Sequence, residues 1–403
     1  MPNNKLNNEM DAPTEIPIEK SSDTTCNQNL NYNQSQTEQN QEVAQDINSN
    51  SEQVAADKDI TSEKEEVCVT SAKTISSFLK GSKSDVKKLK KEFKWAKKHS
   101  PARIDTIIKP VKKAVIPAAG FGTRFLPATK AIPKEMLPIV NTPSIQHIVQ
   151  ECVDSGITEI LIILGRGKSS IENHFDKSVE LENELRRAKK YEYLKTVQKI
   201  SKMANITYVR QKEMRGSGWA VHYAKEFAGD DPVVVLFGDD VMYTAQDQKP
   251  VSAQLIEAYN KTGKSILGVQ KIMSEDIRKY GVVIPGKQEG RYSEVLGIME
   301  KPDKSMELPS RLTSLGRFVL TSDIYKILEH TPKGKGNEIF LTDAMTIQAQ
   351  QGGVVAYEFE GRRYDIGDRL GFLEAQVEFG LRDTELRESF IKYLKSMDLD
   401  NFN

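Results

Sequence analysis

The sequence predicts an α/β protein built on a Rossmann-like, mixed and mostly parallel sheet that is flanked by helices. Apolar runs of strand length alternate with helical patterns from about residue 105 onward, which is typical of parallel strands covered on both faces. A glycine-rich turn follows the first of these runs. Three later runs, at 266–269, 281–284 and 294–299, have the character of an antiparallel second layer, so the predicted fold is mixed.

The elements of the folded part are indicated by apolar periodicity and by the residues that begin or end helices. Pro143 opens a helix with one apolar face, and Gly156 ends it. In chain order the predicted elements are a strand at 114–116, this helix, a strand at 159–164, a long charged helix at 181–203, strands at 206–209 and 233–237, the three runs named above, and a helix from about Gly371.

The chain of 403 residues divides into three predicted parts. Residues 1–70 are rich in Asn, Gln, Ser, Glu and Asp and bury too little apolar surface to offset their ordering entropy, so we expect a disordered tail. Residues 71–105 form a basic amphipathic helical segment or linker. Its stretch 72–99 could contact an anionic membrane or nucleic acid, although we do not expect this. Residues 106–403 form the folded domain.

Composition excludes several classes of protein. The formal net charge is zero, which argues against a broad nucleic-acid footprint. Cys26, Cys68 and Cys152 are too widely spaced for a disulfide framework or a zinc site. Neither a secretory signal nor an apolar run of about 18 residues is visible, so we expect a cytoplasmic, soluble protein.

The stretch 114–138 is the strongest functional signal. A strand opens into a turn with Gly120 and Gly122, where backbone N–H groups can approach a ligand closely because glycine has no side chain. Arg124 and Lys134 add positive charge, which suits a triphosphate. A dinucleotide fold would have a third glycine where Phe125 stands, so a dehydrogenase is disfavoured.

A second glycine-rich stretch, at 165–169, resembles part of a phosphate-binding P-loop. The P-loop pattern requires a glycine five residues before Gly167, and Ile162 occupies that position inside a predicted strand. We therefore interpret this stretch as a chance match.

Polar residues follow several of the predicted strands. Gln211 offers both a donor and an acceptor, which matches the edge of a uracil or thymine ring. Asp239 and Asp240 end the strand at 233–237, and ligands of open α/β sheets bind at such carboxyl ends. Mg²⁺ takes one or two carboxylates together with substrate phosphates, so this pair predicts a magnesium site that Asp365 could complete.

Sugar recognition is indicated by a later motif. Glu300 and Lys301 follow the run at 294–299. A carboxylate can accept sugar hydroxyl groups, and the neighbouring lysine can hold a phosphate.

Together these residues resemble the bacterial-type UTP–glucose-1-phosphate uridylyltransferases, over about residues 112–382. Several independent motifs occur in the family's order. They are Ala118-Ala-Gly-Phe-Gly-Thr-Arg124, Lys130-Ala-Ile-Pro-Lys-Glu-Met-Leu-Pro138, Gly238-Asp-Asp240, Tyr280-Gly-Val-Val283, Glu300-Lys-Pro302, Gly316-Arg317, Asn337-Glu-Ile-Phe-Leu-Thr-Asp343 and Asp365-Ile-Gly367.

The resemblance implies a nucleotide-diphospho-sugar transferase fold and a nucleotidyltransferase catalytic domain at 106–403. It implies transfer of a uridylyl group from UTP to glucose 1-phosphate with Mg²⁺, in a dimer or tetramer. The implied catalytic residues are Arg124, Lys134 and Lys301. The implied nucleotide-binding residues are Ala118, Ala119, Gly120, Gly122, Thr123, Glu135, Gln211 and Gly216. The implied sugar-binding residues are Gly281, Glu300, Lys301 and Gly316, and the implied metal ligands are Asp239 and Asp365.

Two alternatives stay open at this point. One is a related sugar-1-phosphate nucleotidyltransferase that uses dTTP or another sugar. The other is a catalytically silent interaction protein, which is disfavoured because every charged site position is present.

Overall fold

The structure is a computed structural model that describes residues 108–401, and a nine-stranded mixed sheet is its central layer. The predicted tail and basic segment, residues 1–105, lie outside the described residues and stay predictions. The strands are β1 (Lys113–Ala118), β2 (Pro138–Ile139), β3 (Thr142–Pro143), β4 (Glu159–Leu164), β5 (Asn205–Arg210), β6 (Val233–Leu236), β7 (Asp240–Tyr243), β8 (Ser265–Lys271), β9 (Gly281–Glu289), β10 (Tyr292–Glu300), β11 (Leu312–Leu320), β12 (Val354–Glu358) and β13 (Arg362–Asp365).

The large sheet has the strand order β5-β4-β1-β6-β11-β8-β12-β10-β9, and β11 also pairs with β9. Pairing is parallel through β5, β4, β1 and β6 and again between β8 and β12, and it is antiparallel elsewhere. The predicted mixed α/β fold is confirmed. Two further pairs, β13 with β7 and β2 with β3, form small separate sheets.

The three later runs do form antiparallel pairs, β9 with β10 and β8 with β11, but the predicted second layer is wrong. The three runs assigned to it are β8, β9 and β10, which belong to the same sheet. The reason is β11, which pairs antiparallel with β6 on one edge and with β8 on the other and so extends the sheet. Strand partners are chosen by contacts across the fold, and the local apolar pattern does not reveal them.

Helices cover both faces of the sheet. They are α1 (Ser144–Asp154), α2 (Ser169–Phe175), α3 (Val179–Arg187), α4 (Tyr191–Ser201), α5 (Ser217–His222), α6 (Lys225–Ala228), α7 (Val251–Thr262), α8 (Asp323–His330), α9 (Leu341–Gln350), α10 (Arg369–Arg382) and α11 (Arg387–Ser396). In β1, Val115 packs with α5, α8 and α9 on one face, whereas Ile116 packs with α1 and α7 on the other. None of the helices between residues 108 and 401 is long and apolar enough to cross a membrane.

The single charged helix predicted at 181–203 is in fact two helices, α3 and α4. The chain turns at Lys189, whose φ is +57°, and the N–H of Lys190 bonds the carbonyl oxygen of Leu185 at 2.9 Å. A left-handed residue just after a helix is the usual way to end it. The position is normally taken by glycine, so a lysine there gave no sequence signal.

His147 is partly buried, with its Nε2 fully enclosed, and is expected to make the fold sensitive to acid. Its ring lies edge-on to Phe379 of α10 with centroids 5.0 Å apart, and its Nε2 has no hydrogen-bond partner among residues 108–401. Burial lowers the pKa of His147 from 6.5 to about 4. The unfolded chain therefore takes up the proton first as the pH falls.

We expect this histidine to lower the free energy of unfolding by up to about 3 kcal/mol between pH 6.5 and pH 4. Urea unfolding of the wild type and of His147→Gln across this range measures the effect. The variant should lose less stability than the wild type on acidification. Equal losses in the two proteins would show that His147 does not carry the pH dependence.

Candidate active site

A cleft of about 380 Å³ opens where β1, β5 and β6 end, and β9, β10, β11 and β13 complete its walls. Most of the predicted site residues line it, although they are scattered along the sequence. They are Ala119, Gly120, Arg124, Lys134, Glu135, Gln211, Gly216, Asp239, Gly281, Glu300, Lys301, Gly316 and Asp365. Ala118, Gly122 and Thr123 do not line it. Ala118 is buried at the end of β1, and Thr123 is exposed.

The glycine turn after β1 packs against the segment that carries Lys134. Gly122 has φ +67°, and a β-carbon there would lie 3.0 Å from the Cβ of Lys134. Gly120 faces the same side chain, because a β-carbon on it would lie 3.9 Å from the Lys134 Nζ. Arg124 Nη1 donates to the carbonyl oxygen of Gly367 at 2.9 Å, so the turn also reaches the loop after β13. Because these two glycines have no side chains, the turn leaves space beside its two cations, Arg124 and Lys134.

Lys134 and Asp239 form an ion pair within the cleft, with Nζ 2.6 Å from Oδ2. Burial opposes the charge on Lys134, but Asp239, Glu135 and Asp240 outweigh it and raise the pKa of the ammonium. Burial likewise opposes the charge on Asp239, but Lys134 and Arg363 lower the pKa of the carboxyl group. Both groups are therefore charged at neutral pH.

The two adjacent acids have different environments. The Asp239 side chain is 34% exposed toward the cleft, whereas that of Asp240 is only 7% exposed and pairs with Arg363. Arg363 Nε donates to Asp240 Oδ1 at 2.6 Å, and the fully buried Arg317 donates to the Asp240 carbonyl oxygen at 2.8 Å. Burial raises the pKa of Asp240 to about 6, with Arg363 opposing this shift and Asp239 and Asp365 adding to it. Asp240 is held by protein groups, and Asp239 faces the ligand space.

Asp239 and Asp365 converge on one point at Gly367. A β-carbon on Gly367 would lie 2.9 Å from Asp239 Oδ2 and 3.2 Å from Asp365 Oδ1. No group of three or more His, Cys, Asp or Glu residues suited to a metal occurs between residues 108 and 401. Two carboxylates suit Mg²⁺, which completes its shell with water and substrate phosphates. The donor set therefore fits a magnesium ion bound together with a nucleotide.

Three of the predicted sugar-binding residues, Gly281, Glu300 and Lys301, line the cleft together. Gly281 and Glu300 are cross-strand partners in β9 and β10, and a β-carbon on Gly281 would lie 3.2 Å from Glu300 Oε2. Thr342 Oγ1 donates to that same oxygen at 2.9 Å. Burial raises the pKa of Glu300, although Lys301 and Thr342 oppose the shift. Lys301 Nζ lies 3.5 Å from Glu300 Oε1 on a side chain that is half exposed, so it can reach a ligand.

Gly316, also predicted to bind sugar, lies in β11 with φ +56°. A β-carbon on it would collide with the Asp240 carboxylate. A glycine at position 316 therefore leaves room for the side chain of Asp240, which pairs with Arg363.

The predicted base-binding residues Gln211 and Gly216 follow β5 and line the cleft. The amide of Gln211 is oriented by a hydrogen bond from its Nε2 to the Glu213 carbonyl oxygen at 2.8 Å. Gly216 has φ +100°, and a β-carbon on it would lie 2.6 Å from the Ile339 carbonyl oxygen. Gly216 therefore lies close to a neighbouring segment of the chain, and it also lines the cleft.

Glu135 and Lys168 form a buried ion pair, with Oε2 and Nζ 2.6 Å apart. The Oε1 of Glu135 has no hydrogen-bond partner among residues 108–401. Burial raises the pKa of Glu135 against the effect of both lysines, and burial lowers the pKa of Lys168 against the effect of Glu135. The pair thus carries a desolvation cost on both sides.

Sequence reasoning missed Lys168, Tyr280 and Arg363, which all contact predicted site residues. Lys168 lies in the stretch set aside as a chance P-loop match, and nothing local connects it to Glu135. Arg363 stands two residues before Asp365, and residues two apart share one face of a strand, so strand periodicity could have found it. Tyr280 directly precedes Gly281 in a quoted motif, but its hydroxyl partner is 85 residues away.

Comparison with known proteins identifies similar sequences. The model of the nucleotidyl transferase family matches residues 113–380. A UTP–glucose-1-phosphate uridylyltransferase of Staphylococcus epidermidis is 47% identical over 292 residues, which are 72% of this chain and 100% of the relative. One from Bacillus subtilis is 48% identical over 290 residues, which are 72% of this chain and 98% of that protein.

Solved structures give the same result. A UDP-glucose pyrophosphorylase complexed with UDP-glucose superimposes with a TM-score of 0.62 at 39% identity, over 68% of this chain and 100% of that one. A UTP-bound UGPase from Acinetobacter baumannii superimposes with a TM-score of 0.66 at 35% identity, over 72% of this chain and 100% of that one. The similarity therefore extends over the whole length of these relatives.

Proposed function

The chain belongs to the nucleotidyl transferase family, and on this premise we propose that it transfers a uridylyl group from UTP to glucose 1-phosphate, forming UDP-glucose and pyrophosphate. The observation that carries the proposal is the 47% identity over the full length of a relative with this activity. The cleft supports it, because a glycine turn with two cations and the pair Glu300 and Lys301 line the same space.

The reaction brings two polyanions together. A phosphate oxygen of glucose 1-phosphate attacks the α-phosphorus of UTP, a new P–O bond forms, and the bond from the α-phosphorus to the β-phosphate oxygen breaks. Pyrophosphate leaves with that electron pair. The nucleophile is already an anion, so no proton has to be removed. The demand on the protein is positioning and charge neutralisation.

Within this proposal each charged group has one task. Lys301 holds the phosphate of the sugar, and Glu300 accepts hydrogen bonds from glucose hydroxyl groups. Lys134 and Arg124 hold the phosphates of UTP, with Arg124 nearest the leaving group. The amide of Gln211 forms hydrogen bonds with the uracil ring, and Glu135 and Gly216 lie beside this ring.

We propose that Mg²⁺ binds in the cleft together with UTP. Asp239 and Asp365 would hold it, which is supported by the convergence of their carboxylates at Gly367. When bound, it neutralises charge on the phosphates. Asp239 is suited to this task because its lowered pKa keeps it ionised.

We also propose that the protein is cytoplasmic and forms a dimer or tetramer, as we expected from the sequence.

A panel of nucleotides and sugar phosphates tests the function directly. We expect pyrophosphate release with UTP and glucose 1-phosphate, in the presence of Mg²⁺, to exceed release with ATP, CTP or galactose 1-phosphate by at least about tenfold. An amide read by hydrogen bonds separates uracil from cytosine by leaving buried polar groups unpaired. Release would be measured with a coupled phosphate assay on the purified full chain.

The same panel decides on the alternative substrate. The Gln211 amide presents the same donor and acceptor to thymine as to uracil, so dTTP is the strongest competing nucleotide. Higher kcat/KM with dTTP than with UTP would replace uridylyl transfer by thymidylyl transfer. No release with any pair would contradict the proposed function.

A further inference from the structure

Tyr280 connects the two halves of the cleft. Its hydroxyl group donates to Asp365 Oδ2 at 2.6 Å, on the side where the metal is proposed. Its carbonyl oxygen accepts the N–H of Lys301 at 3.1 Å, on the side where the sugar phosphate is proposed. Nothing in the proposed reaction requires a tyrosine at this position, so its contacts call for their own explanation.

We propose that Tyr280 is a positioning residue, whose hydroxyl group holds the Asp365 carboxylate in the orientation that binds the divalent cation and limits its pairing with Arg363. The inference rests on the proposed function only in assuming that Asp365 is a metal ligand.

The two oxygens of Asp365 face different partners. Oδ2 accepts the Tyr280 hydroxyl group, whereas Oδ1 accepts the N–H of Gly367 at 3.1 Å. Oδ1 is also the oxygen that lies 3.2 Å from the point at Gly367 where Asp239 converges. Together the two hydrogen bonds fix the rotation of the carboxylate, so that one oxygen stays turned toward Asp239.

Arg363 competes with Tyr280 for the same oxygen of Asp365. Its guanidinium group lies over the Tyr280 ring at 4.4 Å and donates to Asp240, and its Nη2 also forms a long ion pair with Asp365 Oδ2 at 3.5 Å. A guanidinium group readily forms a two-pronged pair with a carboxylate. Without the tyrosine hydroxyl group on Oδ2, Arg363 can pair more closely with this oxygen and rotate Asp365 away from the metal position.

Groups outside the ligand shell that orient metal ligands typically contribute 10- to 100-fold to metal affinity. We expect a contribution of this size.

The test replaces the hydroxyl group alone, with Tyr280→Phe in the full chain. Binding of Mn²⁺ in the presence of UTP would be measured by the loss of the free-ion electron paramagnetic resonance signal. We expect about 10- to 100-fold weaker Mn²⁺ binding in the variant. The Mg²⁺ concentration that gives half-maximal rate should rise similarly, whereas KM for glucose 1-phosphate at saturating Mg²⁺ should stay the same, because the main-chain bond to Lys301 remains.

Tyr364→Phe is the matched control. The Tyr364 hydroxyl group also donates to a carboxylate at 2.6 Å, that of Glu378, but this pair lies outside the cleft. The control should bind Mn²⁺ as the wild type does. Thermal denaturation of both variants shows whether either change disturbs the fold.

A double variant separates positioning from other effects. In an Asp365→Asn background, Tyr280→Phe should cause no further loss of Mn²⁺ affinity, because the group that it positions is already gone. Equal Mn²⁺ affinity of Tyr280→Phe and the wild type, or an undiminished effect in the Asp365→Asn background, would overturn the inference. Absence of nucleotidyl transfer in the wild type would contradict the proposed function, yet the Mn²⁺ measurements would still decide the role of Tyr280.

Discussion

Replacing Asp239 with asparagine is expected to lower kcat/KM by about 10²- to 10³-fold, equivalent to about 2.7–4 kcal/mol of barrier. The carboxylate stands beyond the end of β6, faces the cleft and lies 2.6 Å from Lys134. Asparagine keeps the shape but removes the charge that would hold a cation between two polyanions. Steady-state kinetics with UTP and glucose 1-phosphate over a range of Mg²⁺ concentrations measures the loss.

Asp231→Asn provides the control for this variant. Asp231 is paired with Lys113 at 2.9 Å near the surface, outside the cleft, so its loss should leave the rate unchanged. Circular dichroism melting should show that both variants fold. Wild-type kinetics and wild-type Mg²⁺ dependence in Asp239→Asn would remove this residue from the proposed site.

Replacing Lys168 with methionine is expected to lower the free energy of unfolding by about 3–5 kcal/mol. The side chains of Lys168 and Glu135 are only 7% and 1% exposed, and their charged atoms lie 2.6 Å apart. Methionine fills most of the space but leaves the Glu135 carboxylate buried without its counter-charge. Urea unfolding at pH 8 measures the loss.

The pH dependence identifies the cause of this loss. Burial already raises the pKa of Glu135 in the intact pair, and removal of Lys168 raises it further. A carboxyl group with a raised pKa costs stability as the pH rises, because the folded state must then hold the charge. The loss in Lys168→Met should therefore shrink as the pH falls toward 5.

The double variant Glu135→Gln/Lys168→Met is the control for this prediction. It removes both charges, and replacing a whole buried pair is often neutral for stability. It should be more stable than Lys168→Met alone at pH 8. If the double variant is as unstable as the single one at every pH, lost packing and not the unpaired charge accounts for the effect.

Much of the candidate site was predictable because strands place their ends together. The residues after β1, β5 and β6 were identified from short apolar runs followed by polar or glycine residues, and these three strands belong to the parallel part of the sheet, in the order β5-β4-β1-β6. Carboxyl ends of parallel strands share one edge, so local patterns converge in space without further information. Gln211 and Asp239 were found in this way.

Other contacts of the site were not predictable, because the two partners are distant in the sequence. Gly316 and Gly216 were named through the family resemblance, but nothing in the sequence showed that they pack against Asp240 and Ile339. Lys168 pairs with Glu135, which is 33 residues away in the sequence, and Arg363 pairs with Asp240, which is 123 residues away. A lysine or arginine gives the same local signal whether it is solvated or buried against a carboxylate.

The sequence by itself determined the alternation of strands and helices, the glycine turn and the order of the motifs, since apolar periodicity and turn chemistry are local properties. The tertiary structure alone decided which strands pair, and it placed β8, β9 and β10 in the one sheet. It also decided which charges meet, above all Asp239 with Lys134 and Asp365 with Tyr280. The pairing of strands and of charged groups depends on desolvation and on distances across the fold. A short stretch of sequence contains no information on either.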